Sequence, residues 1–249
     1  MKLRILLSLL KGDQKLAELK TEIGARGTSI LHALKNLEEL NLTTKSGGVY
    51  SLTSLGFIDS QIFGECSSAA DVMEKLKDFW LPHDVRPIPP HLLLRLGSLR
   101  DSTLVRTETL ALNKVHENFL QVLLTSEAIK GISPIFHLDY VAAFRQLLSQ
   151  GKPVELILTS DVLNETLASA EEELMRQYIT QKKLKIYLRD DIKVASIVTK
   201  NSFSLGLFTL SGEYDYSMDL ISLSREAVEW GEELFQYYLN GSRKIELET

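Results

Sequence analysis

The sequence predicts an α+β protein in which a small domain of helices with one β-hairpin precedes a larger α/β domain. Near the N-terminus, apolar residues recur at helical spacing in three short segments, and a Gly-Gly pair then interrupts an alternating apolar and polar run. After residue 99, strand-like apolar runs alternate with amphipathic helical segments. A length of 249 residues and a hydrophobic fraction of 44% suffice for a small domain joined to a larger one.

Three helices are expected in the first domain. The first is leucine-rich on one face, and the second begins after Asp13, its expected N-cap, and ends at Gly24. The third helix buries Ile30, Leu34 and Leu37 on one side. The expected bounds of the three helices are 1–10, 14–23 and 28–40.

A tight hairpin is expected directly after the third helix. The segment LTTKSGGVYSLT alternates apolar and polar residues around Gly47 and Gly48, which is the signal of a short β-turn between two strands. Tyr50 alternates with Val49 on the returning strand, so one of the two should pack and the other should face solvent. Three helices followed by a hairpin form the plan of a winged helix-turn-helix, which predicts a DNA-binding domain at residues 1–60.

The candidate DNA-contacting residues lie at the start of the third helix and at the tip of the hairpin. A helix can enter the major groove and contact base edges, and its N-terminus attracts a phosphate. Any one of these residues is equally well explained as a solvated polar side chain. Their occurrence together on a helix-turn-helix with a wing is a more specific indication of DNA binding. The candidates are Arg26, Thr28, Ser29, His32, Lys35 and Asn36 on or before the helix, and Lys45 and Ser46 at the wing tip.

The charge distribution permits such a surface on an acidic chain. The net charge is −5, but residues 1–58 carry +3 and the remainder therefore carries −8. A slightly basic front can present a local positive patch to nucleic acid. Glu38 and Glu39 would repel phosphate, and they lie at the C-terminal end of the third helix, away from its contacting end.

A helix and a proline-rich linker are expected between the two domains. Apolar spacing predicts a helix from Ser68 to Trp80, and the segment LPHDVRPIPPHLL then breaks it with four prolines. We assign residues 61–98 to this linker and dimerisation region and residues 99–249 to an α/β effector domain.

The α/β domain should combine six strands with three helices. Strands are expected at QVLLTS, PVELILTS, LKIYLR, KVASIVTK, FSLGLFT and YDYSMDLIS. Helices are expected at residues 137–151 and 164–182 and at residues 224–240, the last capped by Ser224 and ended by Gly241.

Ligand candidates in this domain follow from the geometry of open α/β sheets. Ligands bind beyond the carboxyl ends of the strands, where polar side chains collect. Each such residue is individually better explained as a surface or satisfied core residue, and Tyr214 and Tyr216 are better explained by strand packing. The candidates are Thr159, Ser160, Arg189 and Asp190, with His137, Tyr140 and Arg145 on the preceding helix.

The sequence also resembles a known family over nearly its whole length. The segments SILHALKNLEE, VYSLTSLG, FWLPHD, IPPHLL, LGSL, GISPIFHLDY, VELILT, SLGLF and AVEWGEELFQYY occur in the order found in archaeal regulators of the methanogenesis regulatory protein family. This resemblance implies a cytoplasmic, DNA-binding transcriptional regulator from an archaeon, in particular a methanogen. Because the chain begins directly in the first helix, we expect no N-terminal extension to add contacts.

Two other classes of protein fit less well. The order of elements in the second domain is similar to half of a phospholipase D-like fold, but a phosphodiesterase of that kind needs a His with a Lys two residues on, and no His here has one. A metal-sensing repressor needs grouped ligands, whereas Cys66 is the sole cysteine and the histidines show no ligand spacing. No motif predicts a catalytic residue, a metal site or a bound cofactor.

We expect the protein to act on double-stranded DNA as a homodimer, because one small winged helix makes few contacts. The helix from Ser68 to Trp80, the second domain or both would form the dimer, and a small-molecule effector is a further expected partner. A single cysteine fits a reducing cytosol, and no apolar run reaches the ~18–20 residues of a membrane span.

Overall fold

The computed structural model describes residues 1–106, 120–121, 124–169 and 172–245. The chain divides into two compact units, Met1–Ala70 and Asp71–Thr249. The region 61–98, which we assigned to a linker, is therefore shared between the two units. Within the described residues, no helix is both long and apolar enough to cross a lipid bilayer.

The first unit is a winged helix-turn-helix, as the sequence predicts. Its strands form a three-stranded antiparallel sheet in the order β1-β3-β2. Its core is built from apolar residues of the three short helices and from Tyr50 of the returning strand. The elements are α1 (Lys2–Leu9), β1 (Gln14–Lys15), α2 (Leu16–Ile23), α3 (Gly27–Glu39), β2 (Thr43–Ser46), β3 (Val49–Leu52) and α4 (Ser54–Lys75), of which α4 continues into the second unit.

The expected N-cap of the second helix was wrong. Gln14 and Lys15 pair as a short strand with Tyr50 and Val49, so helix α2 cannot begin after Asp13. The backbone N–H of Lys15 instead donates to the Glu18 carboxylate at 2.5 Å, which ties the first turn of α2. A long-range strand pairing thus overrides the local capping signal.

Helix α4 begins at Ser54, not at Ser68 as the apolar spacing indicated. The Thr53 hydroxyl accepts from the Gly56 N–H at 3.0 Å and donates to the Asn41 carbonyl at 2.6 Å. Thr53 therefore caps the helix while fixing it to the end of α3. The residues Gly56, Ser60 and Gly64 weakened the sequence signal, because glycine and serine are poor helix formers.

The described residues of the second unit form an eight-stranded mixed sheet covered by helices. The strand order is β11-β7-β6-β5-β8-β9-β10-β4, in which β5, β6 and β7 are parallel and the other neighbours are antiparallel. The strands are β4 (Thr103–Arg106), β5 (Ile129–Ser133), β6 (Val154–Leu158), β7 (Leu184–Leu188), β8 (Val194–Val198), β9 (Phe203–Leu207), β10 (Met218–Ser222) and β11 (Arg243–Lys244). The helices are α5 (Lys77–Trp80), α6 (Pro90–Leu94), α7 (Leu138–Ser149), α8 (Ser160–Ser169), α9 (Glu172–Thr180) and α10 (Arg225–Asn240).

The two faces of the sheet carry different helices. Ile197 belongs to the core formed with Leu147 of α7, whereas the next residue, Val198, packs against Gly231 of α10. Because successive strand side chains point to opposite faces, α7 and α10 lie on opposite sides of the sheet. A Cβ at Gly231 would lie 2.3 Å from the Phe203 ring, so glycine permits this close approach.

The closing helix agrees with the sequence expectation. The Ser224 hydroxyl accepts from the Ala227 N–H at 3.2 Å, and the helix ends before Gly241. Trp230 is fully buried, packs edge-on against Phe203 at 5.5 Å, and donates from its indole nitrogen to the Leu92 carbonyl at 3.0 Å. This helix therefore anchors the proline-rich segment that precedes the sheet.

The expected strand at QVLLTS was wrong. Its residues 121, 124 and 125 are helical, and the Thr125 hydroxyl donates to the Gln121 carbonyl one turn back at 2.8 Å; residues 122 and 123 lie outside the described residues. The strand is instead β5, whose Lys130 and Gly131 gave no apolar run. Its neighbours β6 and β8 supply the packing that the local sequence lacks.

Other elements differ from expectation in extent. The single helix expected at 164–182 corresponds to α8 and α9, between which residues 170–171 lie outside the described residues. Strands β4 and β11 were not expected, because each is short and pairs at one end of the described sheet order.

We expect Leu34→Ala to lower the free energy of unfolding of the first unit by about 2–5 kcal/mol, because it leaves a cavity in the core. Leu34 is 1% exposed, whereas Leu31 on the same helix is 43% exposed. Leu31→Ala is the matched control and should cost less than about 1 kcal/mol. Chemical denaturation followed by circular dichroism measures both values. Equal destabilisation by the two variants would contradict the assigned core face of α3.

Candidate nucleic-acid interface

The turn between α2 and α3 sets the direction of the third helix. Gly24 ends α2 with φ +65°, a left-handed conformation that favours glycine, and its N–H donates to the Lys20 carbonyl at 3.0 Å. Arg26 is the N-cap of α3 in an extended conformation. The Arg4 guanidinium on α1 donates to the Ile23 carbonyl at 2.5 Å, which fixes α1 to the end of α2.

Helix α3 buries one apolar side and exposes a mainly polar side on which Leu31 is the apolar exception. Ile30, Leu34 and Leu37 are buried in the core of the first unit. Most candidates on the opposite side are exposed, namely Arg26, Thr28, Ser29, His32 and Lys35. Asn36 is half-buried. The burial of one side therefore presents the other side to solvent along the first three turns.

The structure gathers several of these candidates around one shallow groove. Thr28, Ser29, His32 and Asn36 line it together with Met1 and Lys2 at the start of α1. Lys2 adds a cationic group that sequence reasoning missed, since nothing in the local sequence shows which end of α1 lies beside α3. Arg26 and Lys35 are exposed on the same element but do not line this groove.

The wing is a tight hairpin with a two-residue tip. Gly47 and Gly48 have φ +58° and +83°, and the strands pair Ser46 with Val49 and Lys45 with Tyr50. Two successive positive φ angles are the mark of a type I′ turn. Tyr50 is buried and Val49 is half-buried, so Tyr50 is the residue that packs. Lys45 and Ser46 are exposed beside the tip, with the Lys45 ammonium 5.0 Å from the centre of the Tyr50 ring.

One carboxylate of the first unit is committed to its internal structure. Hydrogen bonds from Lys11, Ser8 and Gln14 lower the pKa of Glu22 to about 2. Glu22 therefore stays charged and holds the end of α1, strand β1 and α2 together. Lys11 is ion-paired in this contact, whereas Lys2, Arg26, Lys35 and Lys45 are exposed cations near α3 and the wing, and so is Lys15, which pairs with Val49.

In the second unit, three of the seven ligand candidates lie around one cleft. His137, Tyr140 and Arg145 on or before α7 line a cleft over the parallel strands, facing α8 and α9. Its walls are mainly apolar and include Phe144, Leu148, Leu156, Val162, Met175 and Ile186. The His137 ring lies 5.3 Å from the Tyr140 ring, centre to centre.

Arg189 does not line this cleft. Its guanidinium donates to the Asp191 carboxylate at 2.6 and 3.1 Å and to the Tyr238 carbonyl at 3.1 Å, and it lies over the Tyr238 ring. The hydrogen bonds with Asp191 raise the pKa of Arg189 and lower that of Asp191. Nearby, the Asp190 carboxylate accepts from the Ser160 N–H at 2.7 Å at the start of α8. These contacts join β7 to α10 and α8.

His83 is a buried structural group. Its Nδ1 lies 2.5 Å from the Phe79 carbonyl oxygen, and its Nε2 lies 3.1 Å from the Asp215 carboxylate. The adjacent Asp84 pairs with Arg86 instead. Among the described residues, no three His, Cys, Asp or Glu side chains come together as a metal site would require.

Comparison with known proteins places the chain in a family. Residues 1–68 match the model for the N-terminal domain of methanogenesis regulatory protein FilR1, and residues 112–241 match the model for its middle domain. The chain belongs to the FilR1 family. The groove beside α3 thus lies in the FilR1 N-terminal domain, and the cleft beside α7 lies in the FilR1 middle domain.

A curated relative supports this assignment. Methanogenesis regulatory protein FilR1 of Methanothrix harundinacea (strain 6Ac) is 34% identical over 254 residues, which cover 99% of this chain. The chain spans 56% of that relative's length. The family resemblance inferred from the sequence is therefore confirmed.

Two solved structures are similar at much lower identity. The archaeal chromatin protein TrmBL2 is 14% identical with a TM-score of 0.48, over 97% of this chain and 92% of that chain. Nuc, a phospholipase D family member from Salmonella typhimurium, is 13% identical with a TM-score of 0.44, over 59% of this chain and 98% of that chain.

The FilR1 middle domain of this chain also contains a buried acid. Asp219 on β10 is 6% exposed, and burial raises its pKa from 3.8 to about 7, although the backbone N–H groups of Leu220 and Leu205 oppose the shift. Between these pH values the folded protein holds a proton that the unfolded chain has released. The free energy of unfolding contributed by Asp219 therefore falls as the pH rises from about 4 to about 7.

We expect Asp219→Asn to be more stable than the parent protein at pH 8 by about 2–4 kcal/mol, and by less than half of that margin at pH 5, where Asp219 is neutral in the fold although the unfolded chain has already released its proton. Denaturant titrations at the two pH values measure the difference. Asp101→Asn, at an exposed position, is the control and should show no such pH-dependent gain. A stability difference between Asp219→Asn and the parent that is the same at both pH values would refute the assignment.

Proposed function

We propose that this chain is a DNA-binding transcriptional regulator in which α3 contacts base edges in the major groove. The observation that carries the proposal is the separation of α3 into a buried apolar side and an exposed polar side whose first turns lie beside Lys2. The relative's description as a methanogenesis regulatory protein supports a regulatory role.

The polar side of α3 offers the chemistry that base recognition needs. The hydroxyls of Thr28 and Ser29 and the ring of His32 can bond base edges, and the amide of Asn36 can pair with an adenine. The N-terminus of α3 favours a phosphate, and Arg26 at its N-cap position adds a positive charge there. We assign Lys35 to the same surface.

The wing supplies contacts that do not depend on base sequence. Lys45 and Ser46 are exposed beside a turn that carries no side chains, so they can approach the phosphate backbone. A lysine binds phosphate as a point charge, which adds affinity and little specificity.

We further propose that the protein works in the archaeal cytoplasm as a homodimer. One winged helix offers few base contacts, and two half-sites supply the affinity that a specific regulator needs. We also propose that the protein does not hydrolyse phosphodiesters. A phospholipase D-like enzyme needs a His followed two residues later by a Lys, and no His of the sequence has one.

Mutations on the α3 surface and mutations in the wing should have different effects on DNA binding. Ser29→Ala with His32→Ala should reduce discrimination between operator and random DNA by about 1–3 kcal/mol if a base contact is lost. Lys45→Ala should weaken binding to all sequences alike and reduce the salt dependence by about one released counterion. Fluorescence anisotropy across a salt series, on an operator selected from the genome and on a scrambled duplex, measures both effects.

The control for this experiment is Lys20→Ala, an exposed cation of α2 outside the groove. Its effect on operator discrimination should be within error of the parent protein. The proposal fails if the α3 double variant binds operator and scrambled duplex as the parent does.

We also propose that the second unit binds a small-molecule effector in the cleft beside α7. The observation that favours this is a cleft with apolar walls that also includes His137, Tyr140 and Arg145. Ligand sites in proteins combine an apolar surface with a few polar groups in this way. Arg189 and Asp190 would then join β7 to α10 and α8 and would not contact the ligand.

We expect a fluorescent apolar sulfonate such as 8-anilinonaphthalene-1-sulfonate to bind the folded protein in this cleft. Val141→Phe, which fills the cleft, should weaken dye binding at least about tenfold, or about 1.4 kcal/mol. Leu138→Phe is the matched control on the same helix, since Leu138 is 62% exposed and does not line the cleft. Equal dye affinity in the two variants, measured by fluorescence titration, would argue against the effector site.

A further inference from the structure

Helix α4 contacts the winged helix through its small residues. Ser60 is fully buried and donates to the Gly56 carbonyl at 2.6 Å. A Cβ at Gly56 would lie 1.8 Å from the Leu42 carbonyl oxygen, and one at Gly64 would lie 3.1 Å from the Leu7 side chain. These three residues are spaced by four, so they share one side of the helix, and that side is packed closely.

Three large apolar residues of α4 lie on the other side, whereas the half-exposed Phe57 and Phe63 flank the packed side. Leu55, Ile58 and Ile62 are 53%, 56% and 57% exposed, and Cys66 is also exposed. Their spacings of three, four and four residues place them in one stripe, which we call the α4 seam. Packing in the first unit therefore uses the glycines and the serine and leaves the bulky side chains in water.

We infer that the α4 seam pairs with the same seam of a second copy of this chain. The inference rests on the proposed homodimer and places its surface on residues 55–66 of α4, in place of the Ser68–Trp80 segment or the second domain that the sequence indicated. An exposed apolar stripe of this kind marks an interaction site more often than a free surface. A twofold dimer supplies the same patch from both copies, so an apolar stripe is its own complement.

The lack of charged groups in the seam favours a second copy of this chain over a charged partner. The seam itself has no ionisable group other than the Cys66 thiol, and Asp59 and Glu65 lie to its sides. A core without charges inside a polar rim is typical of homodimer interfaces. Residues 54–70 contain no lysine or arginine, so this part of α4 has no charge that would select an acidic partner.

The length of the seam limits the strength of the dimer. Residues 55–66 extend about 18 Å along the helix, and such a seam buries less than the ~800 Å² per partner of a standard interface. We therefore expect dissociation in the micromolar range, with DNA carrying two half-sites favouring the dimer. Because α3 and the seam belong to the same compact unit, pairing would fix the spacing of the two α3 helices.

Sedimentation velocity over a concentration series tests the seam with the full chain. Ile62→Glu should raise the dimer dissociation constant at least tenfold. Leu223→Glu is the matched control, because Leu223 is 76% exposed and lies in the second unit; it should sediment as the parent does. Circular dichroism should show both variants folded. An Ile62→Glu protein that dimerises like the parent overturns the inference.

Site-specific cross-linking separates the seam from the dimer itself. In a Cys66→Ser background, which leaves no other cysteine, Ile62→Cys should be joined into a covalent dimer by a short bismaleimide. The adjacent Gln61→Cys, exposed on another side of α4, should give much less. If the parent is dimeric and neither variant cross-links, the seam is wrong while the homodimer stands. If the parent is a monomer with and without DNA, both the homodimer and the seam fail.

Discussion

The burial of one side of α3 is the constraint on which the first unit depends. Ile30, Leu34 and Leu37 pack into the core made by α1, α2 and Tyr50, and this fixes the rotation of α3 about its own axis. A rotation of one residue, about 100°, would turn Ser29 and His32 toward the core and bring Leu31 to their place. The same apolar contacts that stabilise the unit therefore decide which side chains a ligand can meet.

Much of the first unit could be predicted from the sequence because its signals are local. Gly24 ends α2, Gly47 and Gly48 form the turn, and the apolar spacing of α3 identifies its buried side. The start of α2 and the start of α4 could not be predicted, because they depend on Val49 pairing with Lys15 and on Thr53 bonding to Asn41. The presence of Lys2 in the groove could not be predicted either, because only the packing of α1 beside α3 brings Lys2 there.

The second unit was harder to predict because its sheet is mixed. Strand β5 lies between parallel β6 and antiparallel β8, so its residues are selected by neighbours on both sides. Lys130 forms an ion pair with Glu232 of α10 and lies 5.9 Å from the centre of the Phe235 ring, which allows a lysine in the middle of the sheet. Arg189 shows the reverse case. Its position at a strand end suggested a ligand contact, whereas its hydrogen bonds join that strand to α10.

The tip of the wing is limited by backbone conformation and not by space. A Cβ on Gly47 or Gly48 would have no atom within 4 Å, yet both residues adopt positive φ angles that most side chains avoid. Asparagine tolerates that conformation at little cost, and Asn-Gly is the commonest pair in such turns. The tip is therefore a position at which evolution or design can add a hydrogen-bonding amide to the wing without altering the core, the sheet register or the rest of the domain.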